Sequence, residues 1–163
     1  DTNTLKNYYN YSKYFSFYDQ NFSSISLYLQ SANSINNRNI KLSERITIPS
    51  SRLRGFEYGR VGPKDGDDFI GGNYAYSLNF TSSLPYIFED SQSFDLIFFA
   101  DVADIWGVDY NSSIKGGGTR SSLGIGLDWM TPVGPMNFSL AYPISKQTGD
   151  KTESFRFNLG TTF

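Results

Sequence analysis

The fold class of this chain is decided by the stretch Leu123-Gly124-Ile125-Gly126-Leu127-Asp128-Trp129. Every odd-numbered position in it is apolar, and every even-numbered position is Gly or Asp. Successive side chains of a β-strand point to opposite faces, so this alternation indicates a strand with one apolar face and one small or polar face.

The same alternation recurs along most of the chain, and no helical period of comparable strength appears. It predicts an all-β, antiparallel fold. The seven predicted strands are 7–18, 22–32, 73–82, 94–106, 120–131, 136–144 and 153–163.

Composition excludes several classes of protein. The chain has 163 residues, about one domain. Its apolar runs, such as 96–100, are far shorter than the ~18 residues of a spanning helix. It has no His and no Cys, which excludes His-dependent catalytic pairs, His-ligated metals and disulfides. We therefore expect no enzyme activity, no catalytic residue, no metal and no cofactor. The net charge of −2 also argues against a nucleic-acid partner.

Alternating strands fit either a soluble β-sandwich or an outer-membrane barrel whose apolar face meets lipid. Three features favour the barrel. The residues between the apolar positions are mostly small or amide-bearing, and short connections alternate with long ones. Aromatic residues also gather near strand ends, as interfacial girdles require: Tyr8, Tyr9, Tyr86, Phe88, Trp106, Tyr110 and Trp129.

Lys13 conflicts with this scheme. It falls on the same side of the first strand as Tyr9, Tyr11 and Phe15. A lysine facing lipid at the middle of the membrane costs about 2–4 kcal/mol. We therefore expect either a bulge in the first strand or a lipid face on the opposite side.

Seven strands do not close a bacterial barrel, which has an even number of strands. A seven-strand tube would be only ~14 Å across and filled by its own side chains. Two arrangements stay open at this point. Either the long connection 33–72 lies outside such a tube, or the chain is part of a wider barrel.

The long connection contains the richest side-chain chemistry of the sequence: Ser50-Ser51-Arg52-Leu53-Arg54-Gly55-Phe56-Glu57-Tyr58-Gly59-Arg60-Val61-Gly62-Pro63. A connection of this length is either a flexible outer loop or a structured plug.

Four elements of the sequence, in order, resemble the superfamily of outer-membrane assembly proteins and two-partner-secretion transporters. Leu53-Arg54-Gly55-Phe56 resembles the tip of the loop that enters the barrel, and Phe99-Ala100-Asp101 resembles the partner strand. The stretch 129–135 resembles the turn before the penultimate strand, and 155–163 resembles the last strand.

The resemblance implies a bacterial outer-membrane location and a transmembrane barrel of about 16 strands with a long inward-folded loop. Residues 1–163 would be the C-terminal part of that barrel domain, with the periplasmic repeats and N-terminal strands absent. The family lock is an Arg–Asp contact, which implies Arg54 with Asp101. Gly55 would allow a tight reversal, Phe56 would pack on the inner wall, and Asn79 stands where the family usually has a second carboxylate.

The resemblance also implies a second site at the C-terminus. There, a final aromatic residue after alternating apolar ones is an insertion signal, and a glycine kinks the last strand beside a seam in the barrel. The residues concerned are Phe155, Phe157, Leu159, Gly160 and Phe163.

The implied function is the folding and insertion of β-barrel proteins into the outer membrane. The implied partners are outer-membrane lipid, nascent barrel proteins and accessory assembly lipoproteins. A protein-translocating pore of the two-partner-secretion type is the alternative, because the loop tip does not separate the two.

Overall fold

The computed structural model describes residues 3–87, 93–114, 116–132 and 134–159. Seven antiparallel strands form one sheet in the order β1-β2-β5-β6-β7-β8-β9, and the two-residue strands β3 and β4 pair separately within the long connection. The strands are β1 Thr4–Phe15, β2 Ser23–Ser34, β3 Lys64–Asp65, β4 Asp68–Phe69, β5 Tyr74–Ser83, β6 Phe94–Trp106, β7 Arg120–Thr131, β8 Gly134–Ser145 and β9 Phe155–Leu159. Short 3-10 turns cover Leu42–Glu44, Ser50–Arg52 and Pro85–Ile87. The predicted all-β fold with seven wall strands is confirmed.

The sheet is an open wall. Strands β1 and β9 are its two edges, and within the described ranges they do not pair with each other. The long connection packs on one face of this wall, so the arrangement with a closed seven-strand tube and an external loop is wrong. No helix in the described part of the chain is long and apolar enough to cross a membrane.

The alternation in the sequence becomes two different faces of the wall. Ile125 lies opposite Leu140 on the outward face, and their side chains are 47% and 54% exposed. On the inward face, Ser122, Ser139 and Asn137 are buried. The apolar side chains therefore point away from the loop, toward the surroundings of the wall.

Strands β6 and β7 have the predicted bounds, whereas β1 lies three residues earlier than predicted. Asn21 explains the shift, because its buried side chain ties the turn after β1 to β5. Its Oδ1 accepts a hydrogen bond from the N–H of Phe17 at 3.1 Å, and its Nδ2 donates to the carbonyl of Ser83 at 2.7 Å. This closure ends β1 at Phe15.

Lys13 shows that both sequence-based alternatives for the first strand are wrong. The register of β1 with β2 is continuous, and Lys13 lies opposite Ile25 on the outward face. However, Lys13 is two residues from the end of β1, near the wall's rim. A long lysine stem there can carry its ammonium to water, and the cost of an outward lysine falls to about 0–1 kcal/mol near the interface.

Two of the aromatic residues assigned to the girdles lie elsewhere. Tyr8 is opposite Gln30, which is itself opposite the buried Ala75, so Tyr8 belongs to the inward face. Tyr110 lies in the loop after β6, where its hydroxyl donates to Asp65 Oδ2 at 2.6 Å. Trp106 does lie at a rim, stacked on Tyr74 with ring centroids 5.9 Å apart.

The core sits between the long connection and the inner face of the wall. Small wall residues leave room for apolar loop side chains, and burial of those side chains holds the loop inside. The cluster comprises Ala32, Ala75, Ala103 and Ile105 of the wall with Ile40, Ile46, Ile48, Leu53, Phe56 and Val61 of the connection.

Candidate functional site

The loop tip 53–56 lies on a row of polar side chains that crosses three strands. Asn79 of β5 is directly opposite Asp101 of β6, and Asp101 is directly opposite Ser122 of β7. Residues directly opposite in an antiparallel pair share a face, so all three side chains point inward. The alternation of the wall therefore builds a polar platform under the loop tip.

Arg54 and Asp101 form a two-pronged ion pair on this platform. Arg54 Nε donates to Asp101 Oδ2 at 2.8 Å, and Arg54 Nη2 donates to Oδ1 at 2.7 Å. The backbone N–H of Arg54 adds a third bond to Oδ2 at 3.0 Å. The planar guanidinium matches the carboxylate in a geometry that lysine could not reproduce.

Burial makes this pair sensitive to the loss of either partner. Arg54 is 3% exposed and Asp101 is 0% exposed. The guanidinium also lies over the ring of Phe99, with its central carbon 3.7 Å from the ring centroid. A buried charge is tolerated only when it is paired and hydrogen-bonded, and each of these contacts contributes to that pairing.

Asn79 acts on the carboxylate rather than on the arginine. Its Nδ2 donates to Asp101 Oδ1 at 2.8 Å and to the carbonyl of Arg52 at 2.8 Å, while its Oδ1 accepts from Ser77 Oγ at 3.0 Å. A second carboxylate at this position would repel Asp101, whereas the amide donates to it. The side chain thus orients the acceptor and ties it to the loop backbone.

Gly55 and its neighbours fix the path of the tip. Gly55 has φ +92°, and a Cβ there would lie 3.0 Å from the Cβ of Ala141 on β8. Ser122 Oγ donates to the carbonyl of Arg54. Leu53 and Phe56 are 3% and 2% exposed, so both apolar side chains of the tip are buried.

The other side of the tip pairs with the segment that leads into β9. Phe56 and Thr152 form an isolated antiparallel bridge. The N–H of Glu153 donates to the carbonyl of Gly55 at 3.0 Å, and the N–H of Glu57 donates to the carbonyl of Lys151 at 3.0 Å. The tip is therefore held between β6 on one side and residues 151–153 on the other.

A second buried arginine, not identified from the sequence, holds the loops at the same end of the wall. Arg120 Nε donates to Asp150 Oδ2 at 2.9 Å, and Nη1 donates to Asp104 Oδ1 at 3.0 Å. Arg120 is 1% exposed. Its position opposite Ala103 at the start of β7 places it on the inward face, and an inward arginine beside acidic loops is the signal that could have revealed it.

Asp109 joins the loop after β6 to the long connection. It accepts hydrogen bonds from the side chain of Arg45 and from the N–H of Ile40. Burial alone would raise the pKa of Asp109, but the Ile40 and Arg45 bonds and the positive charge of Arg45 hold the pKa below its usual range. The carboxylate is therefore charged at neutral pH and clamps the two loops together.

The site acts as a clamp, in which the ion pair of Arg54 and Asp101 holds the loop tip on the wall. The guanidinium and the carboxylate bond each other, and the surrounding donors and acceptors are amides, hydroxyls and carbonyls. In the part of the chain that the structure describes, no group of three or more His, Cys, Asp or Glu side chains could hold a metal ion.

The structure describes three of the five C-terminal residues that the sequence analysis names. Phe155, Phe157 and Leu159 are 55%, 46% and 58% exposed and share the outward face of β9. Gly160 and Phe163 lie outside the described residues, so their predicted roles stay predictions.

Comparison with known proteins gives the family. The model of the Omp85 superfamily domain matches residues 1–163. The chain belongs to the Omp85 superfamily. The family resemblance seen in the sequence is thereby confirmed.

Individual relatives agree with this Omp85 assignment. The outer membrane protein assembly factor BamA of Neisseria meningitidis serogroup B is 33% identical over 139 residues, which is 68% of this chain and 17% of that protein. A SAM50-like protein of Schizosaccharomyces pombe is 30% identical over 152 residues, which is 86% of this chain and 31% of that protein.

A solved structure matches the wall itself. The crystal structure of BamA from Haemophilus ducreyi lacking POTRA domains 1–3 superposes with a TM-score of 0.83 at 26% identity. The match covers 94% of this chain and 34% of that one. The seven strands are thus part of the wall of a larger Omp85 barrel, and the outer-membrane location expected from the sequence is confirmed. The chain spans less than a third of the length of the curated relatives named above.

Proposed function

We propose that this chain is part of an Omp85 barrel that folds and inserts β-barrel proteins into the bacterial outer membrane. The buried, two-pronged contact of Arg54 with Asp101 holds the loop tip inside the wall, and both candidate functions share it. The observation that carries the assembly role is the likeness to proteins named assembly factor BamA.

The mechanism needs no covalent step. An unpaired strand edge presents a row of N–H and C=O groups that can pair with another chain. In the described residues, β9 pairs on one side with β8, and we propose that its other edge is such a template. We propose that the edge strand of a nascent barrel protein pairs there, with outer-membrane lipid and accessory lipoproteins as further partners.

The clamp would serve this role by keeping the lumen ordered while the edge is engaged. The loop tip contacts β6 through Asp101 and contacts the segment before β9 through the Gly55 carbonyl. If the loop tip left the wall, the contact with β6 and the contact with the segment before β9 would be lost together. The proposed role of Arg54 is therefore to hold the loop, and through the loop the interior end of the template strand.

Charge reversal at Arg54 tests the proposal. Arg54→Glu would place two carboxylates in contact in a buried site, which costs far more than it would at the surface. We expect cells that depend on the variant to contain lower levels of folded outer-membrane barrel proteins. The matched control is Arg38→Glu, because Arg38 lies in the same long connection with an exposed side chain.

The readout is the amount of folded client barrels in the outer membrane, measured by heat-modifiable gel mobility after depletion of the native protein. Reduced client levels with Arg54→Glu and normal levels with Arg38→Glu support the proposal. Normal client levels with both variants contradict it, as does a defect confined to the export of one partner protein, which would favour the secretion pore.

A further inference from the structure

Strand β9 pairs with β8 through its five described residues, 155–159. It also has contacts outside this ladder, and these connect it to the loop that packs on the inner face of the wall.

Arg156 supplies such contacts from the second residue of β9. It lies opposite the buried Ser139, so its side chain points inward toward the loop. Its Nη2 donates to the carbonyl of Phe56 at 2.6 Å, and its Nη1 donates to the carbonyl of Ser50 at 2.9 Å. One guanidinium thus bonds the last residue of the loop tip and also Ser50, which precedes the tip by three residues.

Glu153 fixes the orientation of this side chain. Arg156 Nε donates to Glu153 Oε2 at 2.8 Å, and the Nη2 nitrogen lies 2.7 Å from the same oxygen. Every nitrogen of the guanidinium is therefore engaged, and its side chain is only 11% exposed. Hydrogen bonds from a charged donor are about twice as strong as neutral ones, so this is a firm connection between loop and strand.

The two arginines form a continuous path across the tip. Arg54 anchors the tip to β6 at Asp101, and two residues later the carbonyl of Phe56 receives the bond from Arg156. Only if the tip stays in place are the Phe56 and Ser50 carbonyls within reach of β9. We propose that Arg156 is a positioning residue that makes the order of strand β9 depend on the Arg54–Asp101 contact.

The functional meaning of this link rests on the proposed assembly function, since β9 carries the proposed template edge. The link itself is a property of the folded protein. It is tested by the protection of strand amides rather than by client assembly, so the two proposals can fail separately.

The experiment is a double-mutant cycle read by hydrogen exchange of the intact protein in detergent micelles. The variants are Arg156→Gln, Arg54→Gln and the double variant, and the readout is the exchange of the peptide 155–159. We expect each single variant to exchange at least about tenfold faster there, the lower end of the factor expected for loss of one hydrogen bond to a charged group. The double variant should exchange no faster than the faster single variant, because both break the same path.

Arg52→Gln is the matched control. Arg52 lies one residue before the loop tip. Its guanidinium donates to Asn10 Oδ1 at 3.0 Å, lies over the ring of Tyr28 and makes a long contact of 3.4 Å with Asn79 Oδ1, so its bonds run to β1 and β5 rather than to Asp101 or β9. Its loss should leave the β9 peptide unchanged. If Arg156→Gln fails to fold, Arg156→Lys replaces it, with a smaller change in the same direction.

Four results would overturn the inference. The first is unchanged exchange of 155–159 in the Arg156 variants. The second is unchanged exchange in Arg54→Gln, and the third is a double variant whose acceleration equals the product of the two single effects. An equal acceleration in Arg52→Gln would also overturn it, because the loss would then be a general loosening of the loop.

Discussion

Removal of the Asp101 carboxylate is the sharpest perturbation of the clamp. In Asp101→Ala, the guanidinium of Arg54, which is 3% exposed, would stay in the interior without its acid. The backbone N–H of Arg54 and the amide of Asn79 would lose the same acceptor. All three donors depend on one carboxylate, so its loss cannot be absorbed by a local rearrangement of one bond.

The magnitude follows from burial. Breaking a buried ion pair by removing one partner costs about 3–5 kcal/mol, whereas an exposed pair is worth about 0–1 kcal/mol. With Asp101 at 0% exposure, we expect the free energy of unfolding to fall by about 3–5 kcal/mol. Asp101→Asn keeps the shape and one acceptor oxygen, so its loss should be smaller.

The assay is equilibrium unfolding of the intact protein in lipid vesicles, followed by tryptophan fluorescence. The double variant Arg54→Met with Asp101→Leu is the control, because it removes the uncompensated charge together with the acid. It should recover much of the stability that Asp101→Ala loses. A loss below about 1 kcal/mol for Asp101→Ala would place the pair in the class of exposed ion pairs and refute the reasoning.

Three further perturbations test the surroundings of the clamp. Gly55→Ala should lower the free energy of unfolding by more than Gly59→Ala, because both glycines have positive φ but only a Cβ at position 55 would meet another residue, at 3.0 Å. Equal losses of unfolding free energy in the two variants would contradict this. Phe99→Leu should lower the free energy of unfolding by about 1–2 kcal/mol, because it removes the ring under the guanidinium. An unchanged unfolding midpoint would show that the stacking does not stabilise the protein. The lowered pKa of Asp109 predicts a stabilisation that is complete above its unfolded pKa of ~3.9 and is lost as the pH falls through the lower folded value. The stability difference between the protein and Asp109→Asn should therefore be constant from pH 7 to about pH 4 and shrink below it, and a difference that grows on acidification would contradict the clamp.

The alternation of apolar and polar residues predicts most of the fold. The apolar positions 123, 125, 127 and 129 determine which side of β7 faces outward, and a period of two is sufficient for that inference. The long connection has no such period, so its buried apolar residues, Ile46 and Ile48 among them, could not be distinguished from exposed ones. The hairpin of β3 and β4 cannot be predicted for a related reason, because strands of two residues are too short to show a periodicity.

The candidate site divides in the same way. Arg54 and Asp101 could be paired because a family motif marks both. Arg120 and Arg156 carry no motif, and each has a partner far away in the sequence, the Asp150 carboxylate for Arg120 and the Phe56 carbonyl for Arg156. Such contacts depend on the path of the loop, which only the folded structure defines.

The most direct test of the clamped loop is a disulfide between the tip and the wall. A Cβ at Gly55 would lie 3.4 Å from the Cβ of Ser122, close to the spacing of a disulfide, and the chain has no cysteine to interfere. Oxidation of Gly55→Cys/Ser122→Cys in the intact protein should give a cross-linked form with altered gel mobility, and Asp101→Ala should reduce its yield. A cross-link equally frequent in Gly59→Cys/Ser122→Cys, or a yield in the Gly55 pair that Asp101→Ala leaves unchanged, would show that the clamp does not hold the tip against the inner wall.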